Sequence, residues 1–177
     1  YNLLKSDDVL SALSCIKKLG SRVIIKNNKC EIIGSGLKYK INKNLILNAG
    51  NSGTLGRLIL GLLVNADKKF KLIGDKSLSK RDFGRVIKPL KKFGASFTSN
   101  NNRLPIVMKG VQKPWPINFN EQKGSAQCKT SVMFAALKSE GTTKIKAKKS
   151  RDHTEILLKH LKIPINIKTV SYTHLTL

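Results

Sequence analysis

The sequence predicts a mixed α/β fold made of repeated units, each with short strands, one buried helix and one half-exposed helix. Two pairs of similar segments lead to this prediction. SDDVLSALSCIKKLGSRVII has the same pattern as SKRDFGRVIKPLKKFGASFT, with Gly20 and Gly94 in equivalent positions. NAGNSGTLGRLILGLLV and KGSAQCKTSVMFAAL also correspond, and both are apolar on almost every side, as in a fully buried helix. We expect such units to pack their buried helices together at a common centre.

The half-exposed helices are predicted from apolar residues at helical spacing. The first helix covers about Asp7–Leu19 and the second about Phe83–Phe93. A third copy begins with Asp152 and Glu155, spaced as in a capping box. The apolar residues that these helices carry are Val9, Leu13 and Ile16 in the first, Val86, Leu90 and Phe93 in the second, and Ile156, Leu157 and Leu161 in the third.

Short strands are predicted where β-branched and other apolar residues cluster between turn residues. The final residues, 170–177, neither complete the third unit nor share the Lys-, Asn- and Ile-rich composition of the rest, so we expect a non-native tail there. The predicted strands are Arg22–Ile25, Cys30–Ile33, Leu45–Leu47, Phe70–Ile73, Ser96–Thr98, Ile106–Met108, Ile117–Phe119 and Thr143–Ile145.

Composition excludes some classes of protein and leaves others open. The 177 residues are 40% apolar, and no apolar run is long enough to cross a bilayer, which predicts a soluble protein with its own core. The 34 Lys and Arg residues against 10 Asp and Glu residues give a net charge of +24. A charge of this size is compatible with nucleic acid, an anionic membrane or small anionic substrates as partners.

The cysteines predict a reducing compartment. Cys15, Cys30 and Cys128 are an odd number at wide spacing, with no CxxC or metal-ligand pattern. The first residues show no basic segment followed by an apolar stretch and a cleavage site, so a secretory signal is not indicated. We therefore expect a cytoplasmic location.

The first candidate binding residue is Arg57, the single charged side chain of a buried helix predicted at Thr54–Val64. A desolvated guanidinium needs an anionic partner, and a helix start preceded by Gly53 offers free N–H groups to an anion. The alternatives are an Arg57 side chain that reaches solvent or one that pairs with a carboxylate of the protein. The spacing alone does not choose between them.

The second buried helix has a similar start. Ser125, Gln127 and Lys129 follow Gly124, a set of hydroxyl, amide and ammonium groups suited to a phosphorylated or polyhydroxylated small molecule. Ordinary N-capping by Ser125 is the alternative interpretation. Because the chain has 28 Lys but six Arg, the arginines at predicted helix starts are the more informative cations: Arg57, Arg81 and Arg151. Arg22, Arg85 and Arg103 are interpreted as solvated surface residues.

Four blocks follow one another in the sequence: NAGNSGTLGRLILGLL, GDKSLSKRDFGRVIKPLKKFGA, KGSAQCKTSVMFAAL and SRDHTEILLKHL. In this order they resemble 5-enolpyruvylshikimate-3-phosphate synthase, the 3-phosphoshikimate 1-carboxyvinyltransferase of aromatic amino acid biosynthesis. The resemblance implies one lobe of the enolpyruvyl transferase fold, built from βαβαββ units, with residues 1–169 forming the shikimate-3-phosphate-binding lobe, incomplete at both ends. A second lobe of the same chain and a monomer when complete are then expected.

The resemblance also implies two sets of binding residues. Phosphoenolpyruvate would contact Asn51, Gly53, Thr54, Arg57, Arg81 and Gln127. Shikimate 3-phosphate would contact Ser125, Ala126, Gln127 and Arg151.

The reaction that the resemblance implies adds the acceptor's 5-hydroxyl to carbon 2 of phosphoenolpyruvate, with protonation of carbon 3, and then expels phosphate from the tetrahedral adduct. No metal or organic cofactor is implied. The family's early Lys-Ser and Arg signature and the groups of the opposite lobe are absent from this sequence, so no residue here is assigned as catalytic and we expect the chain alone to be inactive. Asp82 stands where the family usually has Pro, and its carboxylate is expected to compete for the guanidinium of Arg81.

Two other functions are compatible with the sequence. The sister enolpyruvyl transferase, which acts on UDP-N-acetylglucosamine, shares the fold but needs a reactive loop cysteine, whereas the cysteines here fall in predicted helices and a strand. A basic nucleic-acid-binding module is suggested by the charge and by KIKAKKSR. Against it, only 6% of the residues are aromatic and no reader motif is present, so we expect neither nucleic acid nor a membrane as partner.

Overall fold

The computed structural model describes residues 2–42, 44–168 and 172–176. Helices and strands alternate along the chain, as the repeated pattern predicts. In chain order they are α1 (Asp7–Lys18), β1 (Arg22–Lys26), β2 (Lys29–Ile33), β3 (Ile46–Asn48), α2 (Gly53–Leu62), β4 (Lys69–Ile73), α3 (Lys76–Ser79), α4 (Gly84–Lys92), β5 (Ser96–Asn100), β6 (Arg103–Lys109), β7 (Asn118–Glu121), α5 (Ala126–Ala136), β8 (Thr142–Ala147), α6 (His153–His160), β9 (Ile165–Lys168) and β10 (Tyr172–Thr176).

The two four-stranded sheets have the same topology. Their strand orders are β3-β4-β6-β5 and β7-β8-β10-β9, and in each sheet the first two strands are parallel while the other pairs are antiparallel. Each sheet therefore belongs to one βαβαββ unit, and the predicted repeat is confirmed. The antiparallel pair β1-β2 stands in a sheet of its own and follows α1, as the last two strands of each complete unit follow α4 and α6.

The two predicted buried helices, α2 and α5, pack directly against each other. They are in close contact at Gly61, where an added Cβ would overlap the carbonyl oxygen of Ser131. Ser131 Oγ also donates a hydrogen bond to the carbonyl oxygen of Arg57 at 3.0 Å. Only a residue without a side chain permits this backbone contact, so Gly61 sets the distance between the two helices.

For two of the three half-exposed helices, the prediction of which apolar residues face the core is confirmed. In α4, Val86, Leu90 and Phe93 at its C-cap are fully buried, and in α1, Leu13 is buried. α6 differs, because its predicted apolar residues are the exposed ones: Ile156 is 59% exposed, Leu157 49% and Leu161 58%. Leu158 and Glu155 face the core in their place.

The predicted capping box at the start of α6 is wrong. Asp152 occupies the N-cap position, but its side chain accepts no hydrogen bond from the helix. Glu155 does not reach back to the cap, because its carboxylate pairs with the buried ammonium of Lys129 on α5. The structure thus gives Glu155 a tertiary role that its spacing from Asp152 does not indicate.

All eight predicted strands are present, with ends displaced by three residues or fewer, whereas α3, β9 and β10 were not predicted. Part of the expected tail lies in β10, whose backbone pairs with β8 and β9; residues 170, 171 and 177 lie outside the described part of the chain. Whether residues 170–177 are native stays a prediction. Among the described residues, no helix combines the length and the apolar character that a bilayer span requires.

Candidate functional site

The start of α2 exposes backbone donors. Ser52 is the N-cap, and its Oγ accepts a hydrogen bond from the N–H of Leu55 at 3.2 Å. The N–H groups of Gly53 and Thr54 have no acceptor among the described residues. Gly50, just before the cap, has φ of +56°, a backbone conformation that glycine adopts without strain. The loop therefore turns sharply and leaves two N–H groups at the positive end of the helix dipole.

The start of α5 repeats this arrangement. Ser125 is the N-cap and its Oγ accepts from the N–H of Cys128 at 3.3 Å, so the capping interpretation of Ser125 is confirmed. The N–H groups of Ala126 and Gln127 have no acceptor in the described part of the chain. Upstream, Glu121 is 5% exposed and accepts the N–H of Ser125 at 2.9 Å through Oε2. The two buried helices thus present equivalent pairs of free donors.

Gln127 joins the two helix starts. Arg57 Nη1 donates to Gln127 Oε1 at 2.9 Å, and Gln127 Nε2 donates to Thr54 Oγ1 at 2.9 Å. The same Nη1 also donates to the carbonyl oxygen of Gly53 at 3.2 Å. The Arg57 guanidinium carbon lies 5.3 Å from the centre of the buried Phe83 ring, a cation–π contact that holds its plane. Four predicted binding residues, Gly53, Thr54, Arg57 and Gln127, are therefore in one network.

Arg81 approaches this network from the end of α3. An added Cβ on Gly53 would lie 2.9 Å from Nη1 of Arg57 and 2.9 Å from Nη1 of Arg81, so both guanidiniums flank the same glycine. Arg81 Nη2 lies 3.5 Å from Asn51 Oδ1, a long hydrogen bond. The predicted residues Asn51 and Arg81 thus join Gly53 at the start of α2. A side chain larger than hydrogen at Gly53 would displace both cations.

The expected competition by Asp82 for Arg81 does not occur. Asp82 Oδ1 instead accepts the N–H of Gly84 at 2.8 Å, at the start of α4. A carboxylate is favoured at a helix start because of the free N–H groups and the dipole. The fork of Arg81 therefore remains available to a ligand.

Three guanidiniums, those of Arg57, Arg81 and Arg85, lie near one another at the site, with the carboxylates of Asp7, Asp8 and Asp82 at its edges. Burial lowers the pKa of the Arg57 guanidinium, and the positive charges of Arg81 and Arg85 act in the same direction, while Asp82 opposes them. An arginine remains charged despite such a shift, because its ordinary pKa is far above neutrality. The electrostatic strain of three neighbouring guanidiniums is relieved when an anion binds between them.

Two hollows open at these helix starts, and Gln127 lines both. The larger, about 520 Å³, is lined by Ser6, Asp7, Asp8, Asn51, Gly53, Thr54, Arg81 and Gln127. The smaller, about 270 Å³, is lined by Arg57, Asp82, Arg85, Ser125, Gln127 and Cys128.

Six residues that line these hollows are not among the predicted binding residues: Ser6, Asp7, Asp8, Asp82, Arg85 and Cys128. The prediction of Arg85 as a solvated surface residue did not connect it to the site. The sequence contains one indication that Arg85 belongs near the site, because Arg85 follows Arg81 by four positions. Because the chain turns from α3 into α4 between the two, that spacing does not by itself place them side by side.

Arg151 is not part of either hollow. Its side chain is exposed in the segment before α6 and no described group bonds to it. The same segment does approach α5, because an added Cβ on Gly124 would lie 3.5 Å from the carbonyl oxygen of Lys149. Lys148 N–H also donates to the carbonyl oxygen of Glu121 at 3.1 Å. The predicted ligand contact of Arg151 stays a prediction.

Lys129 is not available to a ligand, contrary to the expectation from its place behind Gly124. Its side chain is 6% exposed and its ammonium is paired with Glu155. The physical reason is the all-round burial of α5, which places Lys129 inside the protein with a carboxylate of α6 as its counter-ion.

Comparison with known proteins assigns the family. The family model for EPSP synthase (3-phosphoshikimate 1-carboxyvinyltransferase) matches residues 1–175. The chain belongs to the EPSP synthase family. Over 161 residues it is 43% identical to a 3-phosphoshikimate 1-carboxyvinyltransferase of Caldicellulosiruptor saccharolyticus, covering 89% of this chain and 37% of that protein. A relative with the same description from Streptococcus pyogenes is 38% identical over 159 residues, covering 88% of this chain and 37% of its own length.

A solved EPSP synthase has the same fold as this chain. The structure from Acinetobacter baumannii superposes with a TM-score of 0.88 at 31% sequence identity, covering 98% of this chain and 40% of that one. The predicted fold class, one lobe of the EPSP synthase architecture, is therefore confirmed. The chain spans less than half the length of the relatives it matches.

Two of the three cysteines of this EPSP synthase family member, Cys15 and Cys128, are buried, as expected of packed thiols, whereas Cys30 is partly exposed. Cys128 is 2% exposed and burial raises the pKa of its thiol, partly opposed by a hydrogen bond with Ser125. Burial likewise raises the pKa of Cys15. A buried thiol with a raised pKa is a poor nucleophile at neutral pH. Within the described residues, no cluster of three or more His, Cys, Asp or Glu side chains is arranged to hold a metal ion.

Proposed function

We propose that the chain supplies part of the active site of an enzyme that transfers the enolpyruvyl group of phosphoenolpyruvate to the 5-hydroxyl of shikimate 3-phosphate. The observation that carries this proposal is the network of Arg57, Gln127 and Thr54. It joins two helix starts with free N–H groups and places them beside a second guanidinium, that of Arg81. The family match supplies the identity of the substrates.

Phosphoenolpyruvate occupies the larger hollow in this proposal. Its carboxylate or phosphate takes the guanidinium fork of Arg81, while the N–H groups of Gly53 and Thr54 donate to another of its oxygens. Arg57 lines the neighbouring smaller hollow, and its Nη1, bonded to the carbonyl oxygen of Gly53 and to Gln127, adds positive charge beside this space. Arginine suits this task because its planar fork matches a carboxylate or phosphate with two hydrogen bonds.

Shikimate 3-phosphate occupies the adjoining space at the start of α5. The N–H groups of Ala126 and Gln127 donate to the phosphate or ring hydroxyls, and Arg151 closes on the phosphate from the segment before α6. Gln127 lines both hollows, so it separates the two substrates and contacts each of them. Holding two reactants in fixed contact converts a bimolecular encounter into an intramolecular step.

The chemistry in this proposal is addition followed by elimination. The acceptor hydroxyl gives up its proton as its oxygen bonds to carbon 2 of phosphoenolpyruvate, and carbon 3 gains a proton. The adduct then loses a proton from carbon 3 while its bond to phosphate breaks, which gives the enolpyruvyl ether and free phosphate. Arg57 and Arg81 contribute by stabilising negative charge as phosphate departs. We place the groups that move the protons, and the second lobe, outside the residues of this chain, and propose no metal or organic cofactor.

Thermal stabilisation and phosphate release test the proposal together. Shikimate 3-phosphate at a hundredfold excess over its Kd should stabilise the chain by about 2.7 kcal/mol. Shikimate without the phosphate should have little effect, which makes it the matched control ligand. With both substrates present, the chain alone should release no phosphate. Absence of stabilisation would contradict the proposed binding site, and phosphate release by the chain alone would contradict the proposed location of the proton-transfer groups.

The net charge of +24 supports nucleic-acid binding as a second candidate function. Filter binding at increasing salt separates the two candidates. Nucleic-acid binding predicts micromolar or tighter affinity that falls steeply with salt concentration, whereas our proposal predicts weak binding that phosphorylated substrates do not affect. The cytoplasmic location belongs to the same proposal, and fractionation of cells that contain the protein tests it.

A further inference from the structure

A buried ion pair connects the two helices whose starts carry the proposed shikimate 3-phosphate contacts. Lys129 Nζ on α5 pairs with Glu155 Oε1 on α6, and the two side chains are 6% and 5% exposed. Beside this pair, Thr130, which follows Lys129 on α5, and Thr154, which precedes Glu155 on α6, share a hydrogen bond of 2.6 Å between their hydroxyl groups. Two consecutive polar contacts therefore join the first turns of α5 and α6.

Stabilisation of the fold is a weak explanation for the presence of this buried ion pair. Removing two charges from water costs several kcal/mol for each ion, and a well-packed apolar pair is often as stable or more stable. Glu155 adds to the cost, because its buried Oε2 has no hydrogen-bond partner in the described part of the chain. A contact of this kind has another property, which is direction: an ion pair and a hydrogen bond are satisfied in one register of the two helices and are lost in a shifted one.

The spacing on both helices relates the pair to the proposed ligand contacts. Lys129 follows Ser125 by four residues, and Glu155 follows Arg151 by four residues. Four residues are about one helical turn, roughly 6 Å along a helix axis. The pair thus lies about one turn from the start of α5 on one side, and on the other side in the first turn of α6, which begins two residues after Arg151. The distance between these two segments depends on the register that the pair sets.

We propose that Lys129 and Glu155 are positioning residues, which fix α6 against α5 so that Arg151 meets the same anion as Ala126 and Gln127. This inference rests on the proposed function, because it takes the ligand and the role of Arg151 from it. Lys129 and Glu155 touch no substrate; they act through the placement of Arg151. A displacement of about 1 Å at such a contact is enough to cost as much as a hundredfold in rate.

The test replaces the ion pair with an apolar pair of similar volume, Lys129→Met with Glu155→Leu. The matched control is Lys113→Met with Glu140→Leu, which removes an ion pair whose side chains are 78% and 76% exposed. We expect both double variants to keep the melting temperature of the unaltered chain within a few degrees. Titration with shikimate 3-phosphate should show about a tenfold weaker affinity for the first variant and no change for the control.

Combining Arg151→Ala with the apolar pair distinguishes a positioning role of Lys129 and Glu155 from a merely structural role. Arg151→Ala should weaken shikimate 3-phosphate binding about tenfold in the unaltered chain and by less than about twofold in the Lys129→Met and Glu155→Leu background, since both changes remove the same contact. Exchange of the Lys148 N–H with solvent provides a direct readout of the segment. It should become faster in that background, because its acceptor is the carbonyl oxygen of Glu121 beside α5.

Each outcome decides between the two proposals. Unchanged affinity in the folded apolar variant overturns the positioning role alone. No binding of shikimate 3-phosphate by the unaltered chain contradicts the proposed function, and the positioning role with it. If the apolar variant does not fold, the reversed pair Lys129→Glu with Glu155→Lys takes its place. A folded reversed pair should bind within about threefold of the unaltered chain, and a loss of tenfold or more would overturn the inference.

Discussion

Arg57 Nη1 donates to Gln127 Oε1 at 2.9 Å, across 70 positions of sequence and between the helices α2 and α5. Each residue lies in the first turns of its helix, so the bond joins two helix starts into one surface. The amide nitrogen of Gln127 in turn donates a hydrogen bond to the hydroxyl of Thr54. One side chain therefore fixes both the direction of a guanidinium and the spacing of two sets of backbone donors.

Gln127→Leu should weaken shikimate 3-phosphate binding by about tenfold or more, since it removes the side-chain acceptor of Arg57, which keeps only the carbonyl oxygen of Gly53, and the donor to Thr54. The cost in unfolding free energy should be only about 1 kcal/mol. Gln112→Leu is the control, because Gln112 makes an exposed hydrogen bond to Asp67 elsewhere on the protein. Calorimetric titration measures the affinities. Equal affinity in the two variants would show that Gln127 does not organise the site.

Arg81→Lys should weaken phosphoenolpyruvate binding almost as much as Arg81→Ala, because lysine keeps the charge but lacks the planar fork. Removing one charge-assisted partner corresponds to a loss of about tenfold to a hundredfold in affinity. Arg103→Ala, on an exposed position of β6, is the control for loss of one positive charge. An Arg81→Lys chain that binds as tightly as the unaltered one would indicate a nonspecific charge effect.

Gly61→Ala should destabilise the fold by about 3 kcal/mol, because the new Cβ would overlap the carbonyl oxygen of Ser131 and force α2 away from α5. Gly34→Ala is the matched control, since an added Cβ at Gly34 meets nothing within 4 Å. Chemical denaturation measures both. The substitution should also weaken substrate binding, because the two helix starts separate as the helices move. Equal stability of the two variants would contradict the close packing of α2 and α5.

The stability of the fold should fall at alkaline pH. Burial raises the pKa of the thiols of Cys15 and Cys128 above their ordinary value, and burial also raises the pKa of the Tyr39 hydroxyl. These groups ionise more easily in the unfolded chain, so the unfolding free energy is highest below the ordinary thiol pKa, about 8.5, and decreases as the pH rises above it.

Melting temperatures between pH 7 and about pH 10 measure this dependence. In the double variant Cys15→Ala with Cys128→Ala, the decrease should be smaller, whereas Cys30→Ala, at a partly exposed position, should leave it unchanged. The same pH dependence in all three chains would show that the two buried thiols do not contribute.

The repeat and most of the elements were predictable from the sequence, because periodicity records which face of an element is buried. Val86, Leu90 and Phe93 show this relation, since helical spacing predicts their common face and all three are buried. The face of α6 was not predictable in this way. Its burial depends on Glu155, and a carboxylate becomes a core residue only because Lys129, far away in sequence, is buried opposite it.

The residue types of the candidate site were predictable from the sequence, but the hydrogen bonds and contacts between these residues were not. The glycines and the few arginines at helix starts indicate an anion site, and the structure brings Asn51, Gly53, Thr54, Arg57, Arg81 and Gln127 together. The sequence does not show that Asp82 turns away to Gly84, or that Arg85 lines a hollow with Arg57. Both facts depend on the angle at which α4 meets α2 and α5, which periodicity does not record.

The most direct test of a shared anion site at the starts of α2 and α5 is a nuclear magnetic resonance titration of the isotope-labelled chain with shikimate 3-phosphate and phosphoenolpyruvate. The backbone N–H groups of Gly53, Thr54, Ala126 and Gln127, which have no acceptor within the described part of the chain, should show the largest shifts, with the signals of the Arg57 side chain shifting in parallel. Shikimate without phosphate should shift them far less. If these four signals stay in place while others move at the same ligand concentrations, the two helix starts are not the binding site.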